Sequence, residues 1–216
     1  MVKLPWPPPA ATLAGQIPEI GTVEPHTVLW RVHETVGPHV LDWNQLRHFG
    51  PVADCRFDPQ PPPPGPGKPE GVLYAAVDLP TTLAERFQTT RTVDRRRGSR
   101  ALVAWHPTRP LQLLDLTGDW PVRLGASHVI NTGRRDVCRA WARALRAAWA
   151  RALRAAWPDV DGLRHTSSMT GRPGVTLWTP AANSFPARPD FSELLAHPGL
   201  ATWLAAACRT VGYRML

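Results

Sequence analysis

Long apolar runs are missing from this chain. No segment approaches the ~18 consecutive apolar residues that a membrane-spanning helix needs. The opening, MVKLPWPPPAATLAG, is broken by prolines and holds no continuous signal-peptide core, so a cytoplasmic protein is expected. Cysteine is scarce: Cys55, Cys138 and Cys208 lie far apart, with no CxxC pair. That excludes a disulfide framework and a cysteine zinc site, and implies reduced thiols. The eight histidines form no HxxxH-type spacing, so no metal site is expected. Neither GxGxxG nor a P-loop occurs, which argues against a Rossmann dehydrogenase and a Walker-type nucleotidase. Acidic residues number 17 against 25 Lys and Arg, for a formal charge of +8. This excess favours anionic partners, but weakly, because a chain so rich in Ala, Arg, Pro and Trp carries arginine as compositional bias.

What is present suits one sizeable domain: 216 residues, 43% of them hydrophobic. Residues 1–25 are Pro-rich and predicted to be an extended arm, leaving 26–216 as the domain. TVLWRVHET (27–35), the VLYAA run, RALVAWHP, LQLLDLTG, the DGL segment and GVTLW read as short strands. The loop 59–70 holds the run Pro61 to Pro64, which cannot join a central sheet because proline lacks an amide donor. TTLAERFQTT is predicted to be a helix capped by Thr81 or Thr82, with Glu85 at capping-box spacing from Thr82. TVDRRRGSR is predicted to be a charged loop. WARALRAAWARALRAAW (141–157) is an eight-residue unit written twice, and its Trp and Leu positions span about 160° of a helix that Pro158 ends. The tail reads as two helices, one starting at Asp190 or Ser192 in RPDFSELL, the other ending at Gly212. The class is α+β: one domain with a mixed sheet flanked by helices.

Five polar residues fall at element ends: Arg31, Arg56, Tyr74, Glu85 and Ser167. Taken singly, each has an ordinary structural explanation. Taken together they suit a phosphorylated nucleoside. Arginine forks hold a pyrophosphate through charge-assisted bonds. A tyrosine face packs on a flat ring. A carboxylate stabilises an oxocarbenium-like ribose. That set fits cleavage of the N-glycosidic bond of NAD. Tyr74 and Glu85 stand eleven positions apart. They are expected to border one cleft, unless Glu85 only caps its own helix.

The segments WRVHE, RFDP before GVLYAA, TTLAERF, LLDLTG and DGLRHTSSMTGRPGVTLW occur in order over about residues 26–180. With these, the chain resembles the RES domain family, named for its Arg, Glu and Ser. The resemblance implies a fold like that of ADP-ribosyltransferases and a toxin of a bacterial toxin–antitoxin pair. Its implied activity is depletion of NAD by hydrolysis or phosphorolysis, with NAD as substrate and inorganic phosphate as the candidate co-substrate. Some members are said to ADP-ribosylate a protein. Its implied partner is an Xre-type DNA-binding antitoxin that covers the active site, so DNA is met only through that partner. A homo-oligomer is left open. By position, the family's arginines fall on Arg31 and Arg56, its tyrosine on Tyr74, its glutamate on Glu85 and its serine on Ser167, with Ser168 the adjacent alternative. Val32 and His33 follow Arg31 and are taken as further binding positions. Val32 stands where some members carry an aromatic residue, and His165 where a tyrosine is common. Catalysis is assigned to Glu85, Arg31 and Ser167. Two rival readings stand beside this one. The first is transfer of ADP-ribose to a protein docked on DRRRGSR. The second is a non-catalytic basic protein whose Arg95, Arg96, Arg97 and 139–154 arginines contact nucleic-acid phosphates.

Overall fold

Successive residues of the short apolar runs serve two different cores, the arrangement that a strand's period of two produces. Leu102 packs with Leu83 and Leu204, whereas its neighbour Val103 packs with Leu29, Trp105 and Leu177. The computed structural model describes residues 4–152 and 160–216. In chain order the elements are α1 (Ala10–Ala14), β1 (Ile20–Val23), β2 (Leu29–Glu34), β3 (Val72–Ala76), α2 (Leu79–Arg86), β4 (Thr92–Val93), β5 (Arg100–Trp105) and β6 (Leu111–Asp115). Then come α3 (Trp120–Arg123), α4 (Arg135–Ala152), β7 (Gly162–Thr166), β8 (Pro173–Trp178), β9 (Phe191–Leu194), α5 (Ala201–Val211) and β10 (Arg214–Met215). Eight strands make one sheet in the order β1-β6-β7-β8-β3-β2-β5-β9. It is mixed, antiparallel except at β6–β7. β4 and β10 form a separate parallel pair. The expected single α+β domain is what the chain forms.

α4 seats Trp141 and Leu145 against Leu114, Leu163 and Trp178. The apolar arc of the repeated unit is therefore a core-facing stripe, as far as its side chains are described. The helix begins at Arg135, earlier than the predicted 141. Positions 153–157 and Pro158 lie outside the described residues.

Three local expectations change. Residues 4–25 are not an extended arm. Leu4 and Leu13 are buried beside α4, and β1 pairs with β6 at the sheet's edge. Their few apolar residues find core partners that proline content alone does not reveal. RPDFSELL is not a helix start: Phe191–Leu194 is the edge strand β9, paired with β5. The Asp190 carboxylate accepts from the His106 amide instead of capping a helix. Finally, Asp78 caps α2. Its carboxylate accepts from Thr81 N at 2.8 Å, so Thr81 and Thr82 lie inside the helix. The second tail helix does end at Gly212, in the left-handed conformation (φ 69°) that favours glycine.

The Asp161-Gly162 pair carries much of the register that sets the site. Asp161 is fully buried and accepts two bonds from Arg109, at 2.8 and 2.7 Å, and one from Gln112 N at 2.9 Å. At Gly162 a Cβ would stand 2.0 Å from Thr176 O and 3.0 Å from Leu177 Cα, both backbone atoms of β8. Gly162→Ala must therefore push β7 from β8. The expected cost is about 2–4 kcal/mol, read as a fall of roughly 5–15 °C in Tm by thermal denaturation. An unchanged Tm would show that the two strands separate freely.

Candidate active site

With Asp78 filling the N-cap, Glu85 is free of its own helix. It sits in the last turn of α2 and faces the tight turn between β7 and β8. That turn is closed by Ser167 N to Arg172 O at 2.8 Å and by Gly171 N to Ser167 O at 3.0 Å. Ser167 Oγ accepts from the amides of Met169 (3.1 Å) and Thr170 (3.2 Å). Its acceptor capacity is thereby used, and its proton is donated to Glu85 Oε1 at 2.5 Å. Ser168 turns the other way and accepts from Arg56 Nη1 at 3.3 Å. The two candidate serines thus have separate partners, and Ser167 is the one joined to the glutamate.

Glu85 and Tyr74 line the same cavity, of about 360 Å³. β2 contributes Trp30, Arg31 and Val32; the loop between β2 and β3 contributes Asp54 to Phe57; α2 adds Thr81, Thr82 and Arg86; α4 adds Arg135; the β7 end adds His165 to Ser168. His33, a predicted binding residue, is not on this lining. β2 leaves the cavity after Val32, and the next residue beyond His33, Glu34, already ties Arg86 and Arg100. Burial, and then the Arg31 charge, lower the His33 pKa.

The lining is cationic: Arg31, Arg56, Arg86 and Arg135 face it, against the carboxylates of Asp54 and Glu85. Arg31 Nη1 donates to Trp43 O at 2.8 Å. No carboxylate lies within ion-pair distance of it among the described residues. Burial first, then the charges of Arg86 and Arg47, bring its pKa down to about 10. A buried cation without a counter-ion is costly unless an anion arrives. Arg56 has the same character, since its Nε is buried without a partner.

Tyr74 is a fixed wall. Its hydroxyl donates to Asp58 Oδ1 at 2.7 Å and accepts from Phe57 N at 3.1 Å. Burial, then Cys55 and Asp58, push its pKa well up. Asp58, fully buried, also receives Arg47 Nη2 on both oxygens (2.8 and 2.9 Å) and Val52 N at 2.7 Å. This carboxylate holds the loop that carries Arg56. Asp58 sits in the RFDP motif, so its place was legible even though its task was not. Arg86 likewise falls within TTLAERF, whereas Arg47 and Arg135 carry no local sequence signal.

His165 is part of the wall and not an acid–base group. Its Nε2 lies 3.1 Å from Thr176 Oγ1, its ring centroid is 4.7 Å from that of Phe57, and a Cβ on Gly174 would come within 2.7 Å of its Cε1. Burial lowers its pKa to about 4. A depressed histidine pKa leaves stability intact above about pH 6.5. Stability then falls as the pH drops from about 6.5 to about 4, because the unfolded chain takes the proton first. The imidazole is expected to stay neutral in an NMR titration at pH 5.5, and His165→Phe should flatten the stability profile between pH 4 and 6.5. Protonation of the folded-state ring near pH 6.5 would contradict this burial.

Against known proteins, the RES domain model matches residues 28–196. No curated protein matches the chain. Among solved structures, the chain is similar to one in the crystal structure of the M. tuberculosis MbcT–MbcA toxin–antitoxin complex. The TM-score is 0.55 at 19% identity, covering 91% of this chain and 95% of that one. At that identity the likeness concerns the fold. The domain match runs from just before β2 to just beyond β9, well over half of the sequence, and the chain belongs to the RES domain family.

Proposed function

We propose that the chain is the toxin of a bacterial toxin–antitoxin pair and that it cleaves the nicotinamide–ribose bond of NAD. The observation that carries this reading is the Glu85 carboxylate, held by Ser167 in a cleft whose Arg31 and Arg56 have no carboxylate partner among the described residues.

The chemistry follows from the residues. A dianionic diphosphate supplies the counter-charge that Arg31 and Arg56 lack. Tyr74, its hydroxyl occupied, offers only its ring to the nicotinamide or its ribose. The C1′–N bond breaks with its electron pair leaving on nicotinamide. Positive charge then develops on the ribose, and Glu85 stabilises it. Ser167, its own lone pairs engaged by two amides, keeps that carboxylate aimed. Water or phosphate adds to C1′ and completes hydrolysis or phosphorolysis. NAD is consumed as a substrate, and growth arrest follows from its loss. The family membership and the relative's toxin–antitoxin complex support an antitoxin as protein partner; that it is of the Xre type and covers the cleft is the proposal.

The rival nucleic-acid reading has fewer cations to use. Arg95 is turned onto the carbonyls of Leu195, Ala196 and His197. Arg139 binds those of Val52, Ala53 and Cys55, and Arg146 pairs with Glu70. These side chains hold the fold together and are not spread for phosphates. The same inward turn of Arg95 weakens DRRRGSR as a docking site for a protein substrate.

Purified protein free of any partner should release nicotinamide from NAD, and Glu85→Gln should lower the rate about 10²–10³-fold with little change in Tm. A rise in rate with added phosphate identifies phosphorolysis, and no change identifies water as acceptor. A folded parent protein that releases no nicotinamide under either condition overturns the reading.

A further inference from the structure

Arg135 enters the cleft from the first turn of α4, and the described residues satisfy it only in part. Its Nε is buried without a partner. Nη2 donates to Gln88 Oε1 at 3.1 Å. The nearest carboxylate, Asp54, is 3.8 Å from Nη1 and almost wholly exposed to water. Arg56 lies alongside. It lines the same cavity, and its own Nε is also buried without a partner among the described residues. Arg56 in turn contacts Ser168, the neighbour of the serine that holds Glu85. Two guanidinium groups, neither with a close carboxylate among the described residues, thus line one cavity together with Glu85. Arg139, one turn beyond Arg135, grips the carbonyls of Val52, Ala53 and Cys55, which keeps the Arg56 loop against this helix.

We propose that Arg135 is a third anion-holding residue of the cleft, gripping with Arg56 one phosphoryl group of a nucleotide diphosphate. This rests on the reading of the cleft as a dinucleotide site and extends it to a residue outside the Arg-Glu-Ser set. A phosphoryl group presents several acceptor oxygens, enough for guanidinium donors of both arginines, and its charge supplies the counter-ion. Asp54 is then the weak stand-in for that anion. It sits at the mouth, solvated, and leaves Arg135 when the phosphoryl group arrives.

The test is calorimetric titration of the full chain with ADP-ribose and, separately, with inorganic pyrophosphate, at two salt concentrations. Arg135→Met is expected to weaken ADP-ribose binding about tenfold, and to lower the salt dependence by the equivalent of about one ion contact. Arg134→Met removes the same charge from an exposed neighbour paired with Asp136, and should change affinity less than about twofold. Asp54→Asn should tighten binding about two- to fivefold; because that side chain is exposed, this arm holds even if Arg135→Met fails to fold. Parent-like binding by folded Arg135→Met, or equal losses in Arg134→Met, overturns the assignment while leaving the dinucleotide reading in place. Pyrophosphate binding that needs Arg135, without ADP-ribose binding, keeps the assignment and overturns the dinucleotide reading. A folded parent that binds neither probe overturns both.

Discussion

The hydrogen bond from Ser167 to Glu85 is the contact on which the rest of the site depends. It joins residues 82 positions apart, one at the end of a helix and the other in a hairpin turn. Each side is prepared locally. Asp78 takes the capping duty at the start of α2, which frees Glu85 from any role in its own helix. The turn amides of Met169 and Thr170 occupy the serine's lone pairs, which leaves its proton one good destination. The hairpin is fixed in turn by the close approach of β7 and β8 at Gly162 and by the buried pairing of Asp161 with Arg109. A carboxylate can thus be held in a definite direction by elements whose own stability is secured elsewhere.

The opposite wall is built on a second buried carboxylate. Asp58 gathers Arg47, Tyr74 and the Val52 amide. A buried ion pair gains little net stability because both charges lose water. Here its bonds instead define where the Arg56 loop lies and how the Tyr74 ring stands. Arg139 completes the same job from α4 through three backbone carbonyls. Arg47, Arg109 and Arg146 pair with carboxylates and Arg139 binds three carbonyls, whereas among the described residues Arg31 and Arg56 line the cavity without a carboxylate partner and Arg135 has only the exposed Asp54, 3.8 Å away. That division separates the cations that support the fold from those available to a ligand.

Much of this was legible in the sequence. Six of the eight strands of the central sheet, all but β1 and β9, are visible because burial on alternating faces imposes a period of two. Arg31, Arg56, Tyr74, Glu85 and Ser167 were visible through the ordered segments that resemble RES domains, and the structure draws them around one cavity. Three things were not legible. β9 was read as a helix start, because Asp190 and Ser192 carry capping chemistry and the edge of β5 that recruits them is distant in sequence. The N-terminal segment was read as an arm, because its prolines are local and the partners of Leu4 and Leu13 are not. His33 was grouped with Arg31, although β2 leaves the cavity before reaching it. The places of Arg47, Arg135 and Arg139 come from long-range contacts, and charge alone does not separate cavity-lining arginines from scaffolding ones.

The central claim is that Ser167 acts through Glu85, and a double-mutant cycle on nicotinamide release tests it most directly. Ser167→Ala, Glu85→Gln and the double variant are compared with the parent in kcat, with folding checked by circular dichroism. If the hydroxyl serves only to aim the carboxylate, Ser167→Ala costs about tenfold by itself and nothing further once Glu85 is gone. The double variant then matches Glu85→Gln. Additive losses would show two independent contributions, and would contradict the account of a serine that positions the glutamate.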